Sequence, residues 1–408
     1  MRLRTVFAVI LAAMFLFTGC TNTAVQKPDE TAPAETGAAE MTDGPSAEQT
    51  EGPADNNENS LAENVYFNSA FAVMHDGVLY FTEETPAEKV QLTYFYDTKT
   101  GLVMPLCGKP ECTHDSTGCS AYYPTTFGDL NYAFYNGELY WIGDLSAKDG
   151  KRMINVYACA PDGMNRRVAA QLDWEYDARA SGFFGIYDGR IYRGGMGRYV
   201  SGGKAVTGAV FYSQALRGDP EPKEILRVDE DVNVVLSALA PGKFYFMIYG
   251  WDESPKARLY EYDIAADELR TLYDGSVPGW AYRMSALDDR LVFYETAGMI
   301  FYYFLETGEI KTLTVNNGEG WMDVGDSTIY GSVTYTAYIC TDLDGNLLYE
   351  GERDPSLFHE EKQTKLYLGC SKDVYYFLFS SDEYNYLVVY DSNTDTWTVP
   401  WEAKVIKD

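Results

Sequence analysis

The chain has 408 residues, a formal net charge of −29, and 46% hydrophobic and 15% aromatic residues. A surface this acidic repels nucleic-acid phosphates, so no nucleic-acid partner is expected. With 34 Tyr, only 3 His and no long stretch of helical apolar periodicity after residue 20, the composition predicts an all-β protein.

Residues 1–19 read as a signal peptide. Arg2 and Arg4 supply a positive start, and Val6 to Phe17 is an unbroken apolar run. As a helix it reaches only about 18 Å, short of a hydrocarbon core of about 30 Å, which marks an export signal and not a span. The run ends in Phe17-Thr18-Gly19-Cys20. This resembles a lipobox, with Phe17 where Leu is usual. It implies cleavage before Cys20, lipidation of Cys20 and attachment to the extracytoplasmic face of the bacterial cell membrane. An ordinary signal peptide with an incidental Cys is the alternative. Residues 20–63 then form a lipidated Cys and an acidic linker. Positions 21–63 hold ten Asp or Glu, one Lys and no aromatic residue. Such a segment cannot bury enough apolar surface to offset its ordering entropy, so a disordered tether of roughly 35–40 Å is expected.

Residues 64–408 carry a serial pattern. A turn followed by a short aromatic strand appears as Asp76-Gly77-Val78-Leu79-Tyr80-Phe81 and again as Asn136-Gly137-Glu138-Leu139-Tyr140-Trp141. It recurs at Asp188-Gly189, Pro241-Gly242, Asp289-Arg290, Ser327-Thr328 and Asp373-Val374, at intervals of 38 to 60 residues. A second half-unit, strand then polar turn then strand, appears as Tyr96-Asp97-Thr98-Lys99-Thr100-Gly101, Phe304-Leu305-Glu306-Thr307-Gly308 and Tyr390-Asp391-Ser392-Asn393-Thr394. Asp, Asn and Gly tolerate the positive φ of tight hairpins. Each unit therefore offers four short strands. A lone four-stranded sheet cannot shield both faces, so the units must stack. Four strands per 40–50 residues is the period of a propeller blade. Seven copies predict a single seven-bladed β-propeller, with six or eight blades as the neighbouring counts.

Pro161-Asp162-Gly163-Met164-Asn165-Arg166-Arg167 is similar to the Asp-Gly-x-Asn turn of surface lipoproteins of Gram-positive gut bacteria. Those proteins carry a low-density-lipoprotein-receptor-like β-propeller domain of unknown function. The resemblance implies the propeller and the anchor, and brings no activity with it.

Cys107, Cys112, His114 and Cys119 fall within thirteen residues, spaced C-x4-C-x-H-x4-C. Three sulfurs and an imidazole suit a tetrahedral, structural zinc site, since four protein ligands leave no open position for chemistry. An exported chain also permits a disulfide of Cys119 with Cys107 or Cys112, the third thiol staying free or pairing with Cys159, and free thiols throughout are the third alternative. Cys159, Cys340 and Cys370 lie in strand-like runs and are expected to be buried.

No G-x-S-x-G elbow, phosphate-binding loop or H-E-x-x-H motif is present. Asp342, Asp344 and Asn346 stop short of a calcium loop and read as a repeat turn. The leading expectation is a monomeric, non-enzymatic propeller that binds a glycan or a protein at the cell surface. Insertions at 107–130, 143–152 and 194–208 would shape its binding face. Trp141, Trp251 and Trp280 would stack on sugars or pack between strands. The alternative is a carbohydrate-active enzyme, a polysaccharide lyase or hydrolase, using acidic residues at the channel mouth.

Overall fold

The computed structural model describes residues 72–404 apart from 86–89, 117–118, 125–131, 149–150, 174–181, 202, 219–220, 231, 251–255, 296–297, 316–321, 333–336, 358–363 and 382. The proposed signal peptide and linker, 1–63, lie outside the described residues, as does Trp251.

Each turn-and-strand unit folds into an antiparallel sheet of four sequence-consecutive strands, and seven such sheets form a β-propeller. Blade I comprises Ala72–His75, Val78–Thr85, Val90–Asp97 and Leu102–Pro105. Blade II begins with Tyr132–Tyr135, III with Gly182–Tyr187, IV with Val232–Ala240, V with Ala281–Ala286, VI with Met322–Val324 and VII with Thr364–Ser371. The first strand of each sheet faces its counterparts at the centre, and the fourth lies outermost.

The turns behave as their residues dictate. Asp76 and Gly77 have φ of 48° and 78°, and Asn136-Gly137 and Asp188-Gly189 repeat the pair. These are the left-handed values of a type I′ hairpin. Blade VII departs from this pattern. Lys372 and Asp373 hold φ of 52° and 61° with no glycine, which costs roughly 1–2 kcal/mol per residue. The Asp373 carboxylate offsets that cost by accepting the Ser327 and Thr328 N–H groups at 2.8 and 3.0 Å and both hydroxyls at 2.6 and 2.9 Å.

Middle strands are covered by neighbouring blades on both faces, so they read as continuous apolar runs. Val374–Ser380 is buried along its length except at its ends. Outer strands are largely exposed to water, as in Glu268–Ser276, none of whose residues is buried. The abundant Tyr serves this stacking. Several of these rings fill the space between blades while the hydroxyl reaches a polar partner across the seam. Tyr302 of blade V donates to the Leu343 carbonyl of VI at 2.9 Å, and Tyr303 donates to Leu272 of IV at 2.9 Å. Tyr375 of VII donates to the Thr328 carbonyl of VI at 2.9 Å. Tyr132 of II bonds Thr82 and Thr93 of I.

Among the described residues no strand is exchanged between the first and last blades. Side chains of the described residues meet across the VII–I seam. Leu79, Phe81, Leu378 and Leu387 pack together, Trp401 lies 5.1 Å from the Tyr94 ring, and the Asn385 amide donates to Glu83.

Candidate metal centre

Blade I contains a fifth strand, Tyr122–Pro124, and it explains where the cysteine cluster sits. Leu102–Pro105 pairs with Tyr94–Asp97, and Tyr122–Pro124 pairs with Val90–Leu92 of the same third strand. The two are halves of one outer strand, interrupted by a loop that begins at Leu106 and returns at Ala121. It belongs to blade I and packs at the I–II seam, with Leu106, Cys119 and Ala121 almost wholly buried.

Within it, one ligand atom from each of Cys107, Cys112, His114 and Cys119 lies within 4.8 Å of the others. His114 Nδ1 is 3.2 Å from Cys119 Sγ. Glu111 and His114 take left-handed φ of 60° and 57°, a strained conformation for residues other than glycine that turns the chain back on itself. Burial opposes ionisation of Cys107, but the Lys109 N–H and the neighbouring thiols outweigh it and hold this thiol below its ordinary range. Burial pushes the deeper Cys119 up to about 12. All six described cysteines are free thiols. Three sulfurs and one imidazole at this spacing match a closed four-coordinate metal site.

Blade II supplies the loop's other wall, through the Pro161 to Arg167 turn on which the family resemblance rested. A Cβ on Gly163, whose φ is 80°, would stand 2.5 Å from the Leu106 carbonyl oxygen, and one on Gly108 would stand 2.6 Å from Met164. Arg166 donates to the Cys119 and Tyr122 carbonyls at 3.3 and 3.2 Å and lies over the Tyr157 ring at 4.6 Å. Nothing in the linear pattern linked Arg166 to the cysteines.

The other sequence candidates separate from this centre. Cys159, Cys340 and Cys370 are fully buried, as expected. Trp141 is core, and Trp280 packs 5.1 Å from Tyr249, so both serve strand packing. His75 stacks on Phe134 at 3.7 Å. Asp342 accepts the Asp344 and Asn346 N–H groups at 2.9 and 2.8 Å, the hydrogen bonding of a turn. The insertions near 143–152 and 194–208 are hairpin extensions: Glu138–Lys148 runs into Lys151–Cys159, and Arg190–Ser201 into Lys204–Ala215.

No family model and no curated protein matches the chain. Among solved structures it is similar to a prolyl endopeptidase, at 11% identity and a TM-score of 0.52 over 86% of this chain and 52% of that one. The chain thus spans about half the length of that enzyme. At this identity the likeness shows the propeller fold alone. A computationally designed protein, Ika8, aligns over 83% of this chain and 98% of its own at 10% identity and a TM-score of 0.41.

Proposed function

We propose that the protein is a lipid-anchored display platform: a monomeric, non-enzymatic propeller that binds a glycan or a protein outside the bacterial membrane. Cys20 carries the anchor and residues 20–63 hold the ring clear of the bilayer. Cys107, Cys112, His114 and Cys119 bind a structural zinc ion that ties the loop to blade I. One observation carries the scaffold reading. Of the four buried carboxylates among the described residues, three hold neighbouring blades together and the fourth is clamped within one blade. Glu83 of I meets Asn385 of VII, Asp323 of VI pairs with Arg283 of V at 2.5 Å, and Asp373 of VII binds Ser327 and Thr328 of VI. Glu261 is clamped within blade IV by Lys243 and Arg270 at 3.1 and 2.9 Å. Groups locked in such pairs stiffen a ring and are poorly placed to exchange protons with a substrate.

The test has two arms. Labelled palmitate should enter the wild-type chain and not Cys20→Ser, which should be released into the medium. The full chain should capture a glycan or a stoichiometric surface protein from cell extract. Release of reducing ends or unsaturated products from a polysaccharide would overturn the non-enzymatic reading in favour of a hydrolase or lyase.

A further inference from the structure

We propose that the seam between blades VII and I holds a binding site for a neutral saccharide of about disaccharide size. The proposal rests on the binding-scaffold reading and gives it one ligand class and one place.

The site lies at a shared register position, the residue facing the second strand's first residue across each blade's first turn, which in blade IV is the still shorter Ala240. In blades II and III that residue is Tyr135 or Tyr187. Its hydroxyl covers the turn glycine of the next blade, standing 3.9 Å from where a Cβ on Gly189 or Gly242 would lie. In blade I it is His75, stacked on Phe134 of the next blade. In blade VI it is Gly325, and the Asp373 carboxylate fills the space, 2.5 Å from where a Cβ would lie. In blade VII it is Ser371, paired with Val374 across the turn. Here Thr98 and Lys99 of blade I, and not Ser371, stand nearest Gly77, 3.1 and 3.4 Å from where a Cβ would lie. A cleft of about 490 Å³ opens there, against about 190 Å³ at the equivalent II–III position. The larger volume falls in the range of small-ligand sites, about 300–1,000 Å³.

The cleft has the chemistry of a polyol site. Its floor is aromatic: Tyr96 and Tyr376 are nearly buried and meet edge to face at 6.4 Å. Its walls carry the hydroxyls of Thr98, Ser371, Thr394, Thr396 and Thr398. Asp76 and Asp391 are balanced by Lys99 and Lys372. In a chain of net charge −29, this is a locally neutral, hydroxyl-rich groove over aromatic rings. A sugar presents the matching surfaces, an apolar C–H face and a rim of hydroxyls, and an ionic ligand has no net field to favour it.

Saturation-transfer NMR on the full chain, with maltose, cellobiose and lactose as probes, tests the site. We expect transfer to at least one disaccharide. Ser371→Tyr, which supplies the side chain that blades II and III carry, should lower its affinity at least tenfold while the circular dichroism spectrum stays unchanged. Thr396→Ala, on the exposed rim, should lower it about fivefold, the loss of one hydrogen bond. No transfer from any probe overturns the proposal, and capture of a surface protein by the same preparation would leave the scaffold reading standing. A disaccharide bound equally by wild type, Ser371→Tyr and Thr396→Ala overturns the seam site while supporting glycan binding elsewhere.

Discussion

Leu106 and Ala121 meet on one residue. The Leu106 N–H donates to the Thr93 carbonyl at 2.8 Å, and the Thr93 N–H donates to the Ala121 carbonyl at 3.0 Å. The whole cysteine loop is thus an excursion from one point in an edge strand. Its ends are fixed by the sheet, and its middle has no sheet partner. A metal would close that middle.

The first prediction concerns that closure. Cys112→Ser or His114→Ala should abolish one equivalent of bound zinc by elemental analysis. The same substitutions should destabilise the chain by about 2–5 kcal/mol, the usual cost of losing a metal or cross-link. A chelator should lower the wild-type midpoint and leave that of Cys112→Ser unmoved. Zinc-free wild-type protein carrying a disulfide by mass spectrometry would reverse the assignment of these sulfurs.

Gly163 and Gly101 separate close approach from backbone strain. Both hold positive φ, 80° and 74°, but a Cβ on Gly101 meets open space while one on Gly163 meets the Leu106 carbonyl. Gly101→Ala should cost about 1 kcal/mol, whereas Gly163→Ala should cost about 2–4 kcal/mol because backbone must move. Urea unfolding of the two variants reads the difference directly.

Asp373→Ala should destabilise by about 2–4 kcal/mol. It strands the Ser327 and Thr328 N–H groups at the VI–VII seam and leaves a left-handed turn without the contacts that support it. Asp373→Gly should recover part of the loss, since glycine accepts the φ of 61° without supplying the carboxylate.

Glu83 gives a pH dependence of defined sign. Burial raises its pKa above the ordinary 4.5, against the lowering effect of hydrogen bonds from Asn385 and Tyr94. Between the ordinary and the raised value the folded protein binds more protons than the unfolded one. Stability from this group is therefore complete below the ordinary value and is lost as pH rises through the raised one. Glu83→Gln keeps an acceptor for Asn385 and removes the titration. It should unfold at higher urea than wild type near about pH 8 and at similar urea near about pH 4. Equal stabilities at both would show that Glu83 does not titrate across the seam.

The seven blades were legible from residue order, because a hairpin turn is a local event. Asp76-Gly77 and Asn136-Gly137 need only their own φ angles, and each sets the register of the strands beside it. The four candidate ligands were legible for the same reason, falling within one short loop. The expectation of a leader and an acidic tether is local in the same way, resting on apolar length and charge alone. Contacts across blades are of another kind. That Arg166 caps the Cys119 carbonyl, that Asn385 reaches Glu83 across nearly the whole chain, and that Ser371 leaves a cleft beside Gly77 depend on how two sheets are rotated against each other. That rotation follows from side-chain volumes summed around a closed ring. No local stretch encodes it, so only the assembled structure decides which residues meet.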